Sequence, residues 1–162
     1  MSTVMHATKI SLPEKNRIEL VNILNKSLAT MQDLQMQLKQ AHWNVKGLEF
    51  IALLQLFDVI AELTENQVDA VAERITALGG TALVTIGEVA KATALRAYPT
   101  NIFTAKEHLE HLTHNFAIAG ELARNNIDAA EEFGDMVTNE LYIGLTKMLD
   151  QKLWFLEAHI QR

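Results

Sequence analysis

The sequence predicts an all-α fold: four long helices in a bundle, with a short extra helix between the second and the third. Three observations carry this. The chain of 162 residues is 49% hydrophobic yet holds only 2 Pro and 7 Gly, and its many Ala, Leu, Glu and Gln residues favour helix over strand. Apolar residues recur three and four apart through four segments of roughly 20 to 30 residues. The length suits a single domain with a real core. Residues 11–162 are expected to form that domain, and residues 1–10 a short disordered tail.

The first helix has a start signal. Ser11-Leu12-Pro13-Glu14 fits a capping box, with Ser11 as N-cap, and proline is tolerated in a first turn. Val21, Leu24, Leu28, Met31 and Leu38 then alternate along one stripe, with Gln35 in the gap and His42 next on the same line. Gly47 is a stop. The second helix is expected from Glu49 to Leu78, about 45 Å of helix, ended by Gly79-Gly80. Its apolar side carries Ile51, Leu54, Phe57, Val68, Val71 and Ile75. A short helix is expected at Ile86 to Ala92, before Tyr98-Pro99 breaks the chain. Thr104 and Glu107 form a second capping box, opening a helix that runs to about Asn126. Asp128 to Gly134 reads as an acidic linker. The last helix runs from Asp135 to about Ile160, with Leu141, Leu145, Met148 and Phe155 on one stripe. Four such helices in this length make a four-helix bundle.

Composition excludes several functions. There are no cysteines, so disulfides and thiolate metal sites are absent. A net charge of −6 disfavours binding a bare phosphate backbone. No segment approaches the ~18 apolar residues of a membrane span. The opening MSTVMHATK lacks the apolar core of a signal peptide, so a cytoplasmic protein is expected.

Chemistry points to the second helix. Asp58, Glu62, Glu65, Asp69 and Glu73 are spaced four, three, four and four, so they share one narrow arc. A solvated face is one reading. However, such faces usually mix in Lys or Arg, and no basic residue stands between Asp58 and Glu73. The other reading is a face turned toward an ion, a partner or a lumen. Asp69 and Glu73 are one turn apart and can reach one hard cation. His42, on an apolar stripe, is either a packed residue or a ligand; with carboxylates nearby it suits Fe, Mn or Zn. Trp43 beside it brings an indole N–H that needs a partner. The Glu-x-x-His pair of intrasubunit di-iron bundles is missing, so any site must be assembled differently, for instance between subunits.

The ordered run of motifs resembles the Dps family, the ferritin-like miniferritins known as DNA-binding proteins from starved cells. It begins at His42-Trp43-Asn44-Val45-Lys46-Gly47 and continues with Phe50-Ile51-Ala52-Leu53 and Leu56-Phe57-Asp58. Asp69, Ala72-Glu73-Arg74 and Leu78-Gly79-Gly80 follow, then Ala97-Tyr98-Pro99 and Gly134-Asp135 with Thr138. It ends in Leu153-Trp154-Phe155-Leu156-Glu157-Ala158-His159 and covers nearly the whole chain. The resemblance implies a ferritin-like bundle assembled into a hollow homododecamer. It implies a ferroxidase that oxidises Fe(II), preferentially with hydrogen peroxide, and stores ferric mineral in the bacterial cytoplasm or nucleoid. It places His42 and Asp58 on one subunit and Asp69 and Glu73 on its neighbour, with Trp43 close to the iron and open to oxidation in place of more damaging targets.

One position departs from the pattern. The family's second histidine falls twelve residues after the first, and here that residue is Leu54. Leucine has no donor atom. The resemblance implies two irons per interface site; with Leu54 one iron is expected to bind well and the second poorly, slowing oxidation. Glu62, water or His159 are the substitutes on offer, and packing is the other reading of His159. An alternative function follows: a DNA-compacting or shell-forming relative with an impaired ferroxidase site.

Three further features complete the reading. His108, His111 and His114 span about 120° of helix face and are expected at the surface. Glu131, Glu132, Asp135 and Glu140 surround the start of the last helix. Either they complement its dipole, or, as the resemblance implies, Asp135, Glu140 and Glu131 line a pore that attracts Fe(II). Finally, many relatives bind DNA through a Lys-rich tail. Before Ser11 this chain has only Lys9 and His6, and it stops at Arg162 directly after the helix, so strong DNA binding at neutral pH is not expected.

Overall fold

The computed structural model describes residues 4–161. Five helices account for most of them: α1 Glu14–Asn44, α2 Phe50–Ala77, α3 Ile86–Ala92, α4 Ala105–Glu132 and α5 Met136–Glu157. α1 pairs with α2, and α4 with α5, as two helical hairpins that pack together; the short α3 lies against α1. An isolated bridge between Lys46 and Thr104 ties the α1–α2 loop to the linker before α4. No described helix is long and apolar enough to cross a membrane.

The core forms where the stripes meet. Leu20, Leu24, Leu28, Leu34 and Leu38 of α1 are fully buried, as are Phe57 and Ile60 of α2, Phe116 of α4 and Tyr142 of α5. α2 is rotated from the expected phase. Its buried line runs through Leu53, Phe57, Ile60, Thr64, Val71 and Ile75, while Ile51 is exposed and Leu54 and Val68 are half-buried. The first turns of α2 are apolar on both sides, so periodicity alone does not fix the phase. Ile51 and Leu54 lie two turns and one turn before Asp58 on the same outward side. The outward face of α2 therefore begins apolar and becomes acidic.

The helix ends show which signals act. The Thr104–Glu107 capping box is formed in both directions. The box expected at Ser11 is not: Pro13 is the N-cap and no side chain caps α1. Its place is set from afar instead. The buried Arg17 guanidinium donates to the Leu12 and Leu78 carbonyls, the latter at the negative end of α2. Residues 4–10, expected as loose tail, lie along the bundle: the His6 N–H donates to the Gly79 carbonyl at 2.6 Å. Residues 1–3 and Arg162 lie outside the described set. Gly79 has φ of +87°, and a Cβ there would stand 2.5 Å from the His6 carbonyl oxygen.

The acidic segment expected as linker is helical up to Glu132. No helix breaker stands before Gly134, and Ala130 is fully buried. Gly134, at φ +75°, then ends the helix, its N–H and that of Asp135 returning to the Glu131 and Ala130 carbonyls.

Asp135 caps α5 and does more. Its carboxylate accepts from the Val137 N–H at 3.1 Å, the Thr138 hydroxyl, and Arg74 of α2 at 2.6 Å. Arg74 also donates to Thr138 at 2.9 Å. Burial pushes the Asp135 pKa up, but the Thr138 and Arg74 hydrogen bonds together outweigh it and hold the group below the usual carboxylate range. Removing one partner of a buried ion pair typically costs about 3–5 kcal/mol. Asp135→Ala is expected to lose stability of that order in urea unfolding at fixed protein concentration. Because the native pKa is depressed, this stabilisation is present above the ordinary carboxylate pKa and fades as pH falls through the native value. Asp135→Asn should therefore show a shallower acid limb than the parent.

Candidate metal centre

The end of α1 and the first half of α2 build the site. Lys39, His42 and Trp43 fall on one side of the last turns of α1, at i, i+3 and i+4. Asp58 faces them from α2. The His42 Nδ1 lies 2.7 Å from the Leu54 carbonyl oxygen. A carbonyl only accepts, so Nδ1 carries a hydrogen, and the neutral tautomer this selects has its lone pair on Nε2. That lone pair points to the side where Asp58 Oδ1 stands, 4.0 Å from Nε2. An imidazole fixed through its other nitrogen is the usual arrangement of a metal-binding histidine.

The site opens to the surface. His42 is half-buried and Asp58 is exposed. Trp43 is 69% exposed, so its indole N–H can reach solvent and needs no partner within the chain. Its ring meets the His42 ring edge-on at 6.3 Å between centroids. The Lys39 ammonium binds Asp58 Oδ1 at 2.6 Å and sits 5.3 Å from the centre of the Trp43 ring. That Lys39 hydrogen bond holds the Asp58 carboxyl below its usual range.

The other expected ligands are elsewhere. Glu62, Glu65, Asp69 and Glu73 are all exposed on α2. Asp69 begins eleven residues after Asp58, or ~16 Å along the axis. Among the described residues, no hydrogen bond or ion pair engages the Asp69 or Glu73 carboxylates, and no group of three His, Asp or Glu side chains gathers around one point. The bundle interior offers nothing in their place. Tyr142, Ser27 and Asn126 form its buried polar network, and Asp135 is the one buried carboxylate among the described residues. His159 is exposed past the end of α5, its Nδ1 against the Phe155 carbonyl at 2.7 Å. It borders a cavity with Glu49 and Leu53 and is not packed in the core.

Two expectations are corrected here. Asp135 is sealed against Arg74 and Thr138 rather than offered to solvent; Glu131, Glu132 and Glu140 are the exposed acids of that region. The α4 histidines are not all surface groups. His108 is 1% exposed and His111 half-buried, while His114 is exposed. The reason is Tyr98, whose linker folds back over α4. Its hydroxyl lies 2.5 Å from His108 Nδ1, and its ring meets His111 edge-on. Burial pushes both imidazoles below their ordinary pKa and Tyr98 above its own.

Comparisons with known proteins show the family of this fold. Residues 21–162 match the ferritin-like domain family. A DNA protection during starvation protein from Agrobacterium fabrum is 42% identical over 156 residues, 96% of each chain. This chain belongs to the Dps family. The Mycobacterium smegmatis Dps structure in its tetragonal form superposes at a TM-score of 0.92 with 32% identity, covering 97% of this chain and 96% of that one. The Dps of Vibrio cholerae, described as one of a broad superfamily of ferritin-like diiron-carboxylate proteins, reaches 0.90 at 26% identity over 98% and 99%. As a Dps-family bundle, the chain has the family's fold, while among the described residues its interior holds no paired carboxylates.

His108 is buried with the Asn44 main chain beside it, and Tyr98 is the hydrogen-bond partner of its Nδ1. Tyr98→Phe should leave that nitrogen unpaired and lower stability by about 1–3 kcal/mol. Thermal unfolding of the variant checks this, and His42-dependent metal binding should be unchanged.

Proposed function

We propose that this protein oxidises Fe(II) at sites shared between subunits of a shell and stores the ferric product, so protecting DNA. One observation carries the reading. His42 and Asp58 converge on a surface-facing point with no third donor, while Asp69 and Glu73 stand free one turn apart on the same helix face. These are two halves of one donor set that a single straight helix holds apart. A two-fold axis that runs two copies of α2 head to tail brings the first half of one against the second half of the other. It does so twice, because an isologous contact repeats itself. The exposed apolar residues around the pair, Trp43, Leu48 and Ile51, are what such a contact would cover. The homododecamer is the family assembly we adopt.

The donor set suits Fe(II): one neutral imidazole with carboxylates. Fe(II) is the substrate. Two Fe(II) ions give one electron each to one hydrogen peroxide; its O–O bond breaks, two protons are taken up and two waters form. Hydrolysis of Fe(III) then deposits oxyhydroxide and releases protons. Consuming both reagents removes the source of hydroxyl radical without DNA contact. The net charge of −6, and Lys9 as the one lysine of the 4–10 strap, favour that indirect route over DNA compaction. Trp43, beside His42 and exposed, is placed to surrender an electron when peroxide is reduced one electron at a time. Glu62 lies one turn beyond Asp58 and is a secondary acid for the second cation. Glu131 and Glu140 are the acids we assign to a pore, with Asp135 as the helix cap behind them. A cytoplasmic location follows from this role.

Leu54 makes the site one ligand short. Fe(II) oxidation by peroxide, followed by the absorbance of the ferric product, should fall at least about tenfold in His42→Ala and in Asp58→Ala. Leu54→His should be faster than the parent. Unchanged rates in all three variants would sink the reading, and DNA retardation in gels at two salt concentrations without any Fe(II) oxidation would turn it toward compaction.

A further inference from the structure

Lys39 takes no part in the donor set, yet it holds the central atom of it. Its ammonium lies 2.6 Å from Asp58 Oδ1, the same oxygen that stands 4.0 Å from His42 Nε2. Among the described residues no other carboxylate is paired with it. The side chain is restrained on its far side by the Trp43 ring, 5.3 Å from the nitrogen. Leu54, which offers no donor, lies one turn before Asp58 on the same face of α2.

We propose that the Lys39 ammonium is the resident cation of the second metal position and sets how many divalent ions the site takes. This rests on the shared-site reading above. Asp58 Oδ1 cannot accept a 2.6 Å ammonium contact and coordinate a metal in the same direction. One metal can use the His42 side while Lys39 neutralises the carboxylate. A second divalent ion must displace the ammonium, and no imidazole at position 54 helps it do so. The Trp43 face is the waiting place of the displaced ammonium, since an aromatic face attracts a cation released from a carboxylate. Lys39 is thus a specificity-determining residue that works by competition.

Zn(II) titration of the assembled apo-protein, read by calorimetry and by indole fluorescence, tests this without any turnover. Zn(II) has a closed shell and does not quench indole by itself. Trp154→Phe serves as background so that Trp43 reports alone. Lys39→Met keeps the stem over the ring and removes the charge. It is expected to bind the second Zn(II) per interface site at least about tenfold tighter than the parent, and to lose the Zn(II)-induced change in Trp43 emission. Lys39→Arg keeps a permanent cation and should retain weak second-site binding. Equal second-site affinity and equal emission change in parent and Lys39→Met overturn the inference. The two readings fail separately: if His42→Ala loses Zn(II) while Lys39→Met is unaltered, the shared site stands and the role of Lys39 falls. If Zn(II) binding survives His42→Ala undiminished, the site itself is refuted.

Discussion

A helix rises ~1.5 Å per residue, and that rigid spacing governs what this chain can do alone. Asp58 and Asp69 look outward from the same face of α2, yet the helix holds them ~16 Å apart along its axis. No rotamer closes that gap. A longer side chain at either place would not close it either. In the proposed site the chemistry is therefore divided between places that one copy cannot unite, while the bundle fills its interior with leucine, phenylalanine and a small hydroxyl–amide network. On that proposal a simple interior goes with dependence on a neighbour.

The fold holds the two halves in register through contacts at both ends of α2. At its start, the α1–α2 loop is tied to the linker before α4 through Lys46 and Phe103. At its end, Arg17 takes the Leu78 carbonyl and Arg74 reaches Asp135 and Thr138. Arg74 directly follows Glu73, so one turn of α2 sends a cation inward and an anion outward. The inward group fixes the azimuth at which the outward one is displayed.

Much of this was legible in the sequence, where the deciding forces were local. Gly79-Gly80 ends α2, the Thr104–Glu107 box opens α4, and α3 spans Ile86–Ala92 as periodicity and breakers indicate. Misreadings arose where a distant partner decided. Ser11 had the right neighbours for a cap, but Arg17 and the strap fix that end. The acids after Asp128 suggested a linker, but burial of Ala130 keeps the helix going. Asp135 looked free because Arg74 stands sixty-one residues away in sequence. His108 and His111 looked exposed because the tyrosine that covers them comes from the linker. The His42–Asp58 pair was visible as a motif. Its aim was not, because a main-chain carbonyl leaves no signature in the sequence.

That last contact has a consequence for how such a site can change over generations. The Leu54 carbonyl orients His42, and any residue supplies a carbonyl at that place. Position 54 therefore plays two parts, one through its backbone and one through its side chain, and only the second can be lost by substitution. An imidazole or a leucine at position 54 would differ by one donor and leave His42 aimed alike. On the proposed reading such a centre would lose its ligands singly, passing through intermediate grades of metal affinity instead of collapsing at the first replacement.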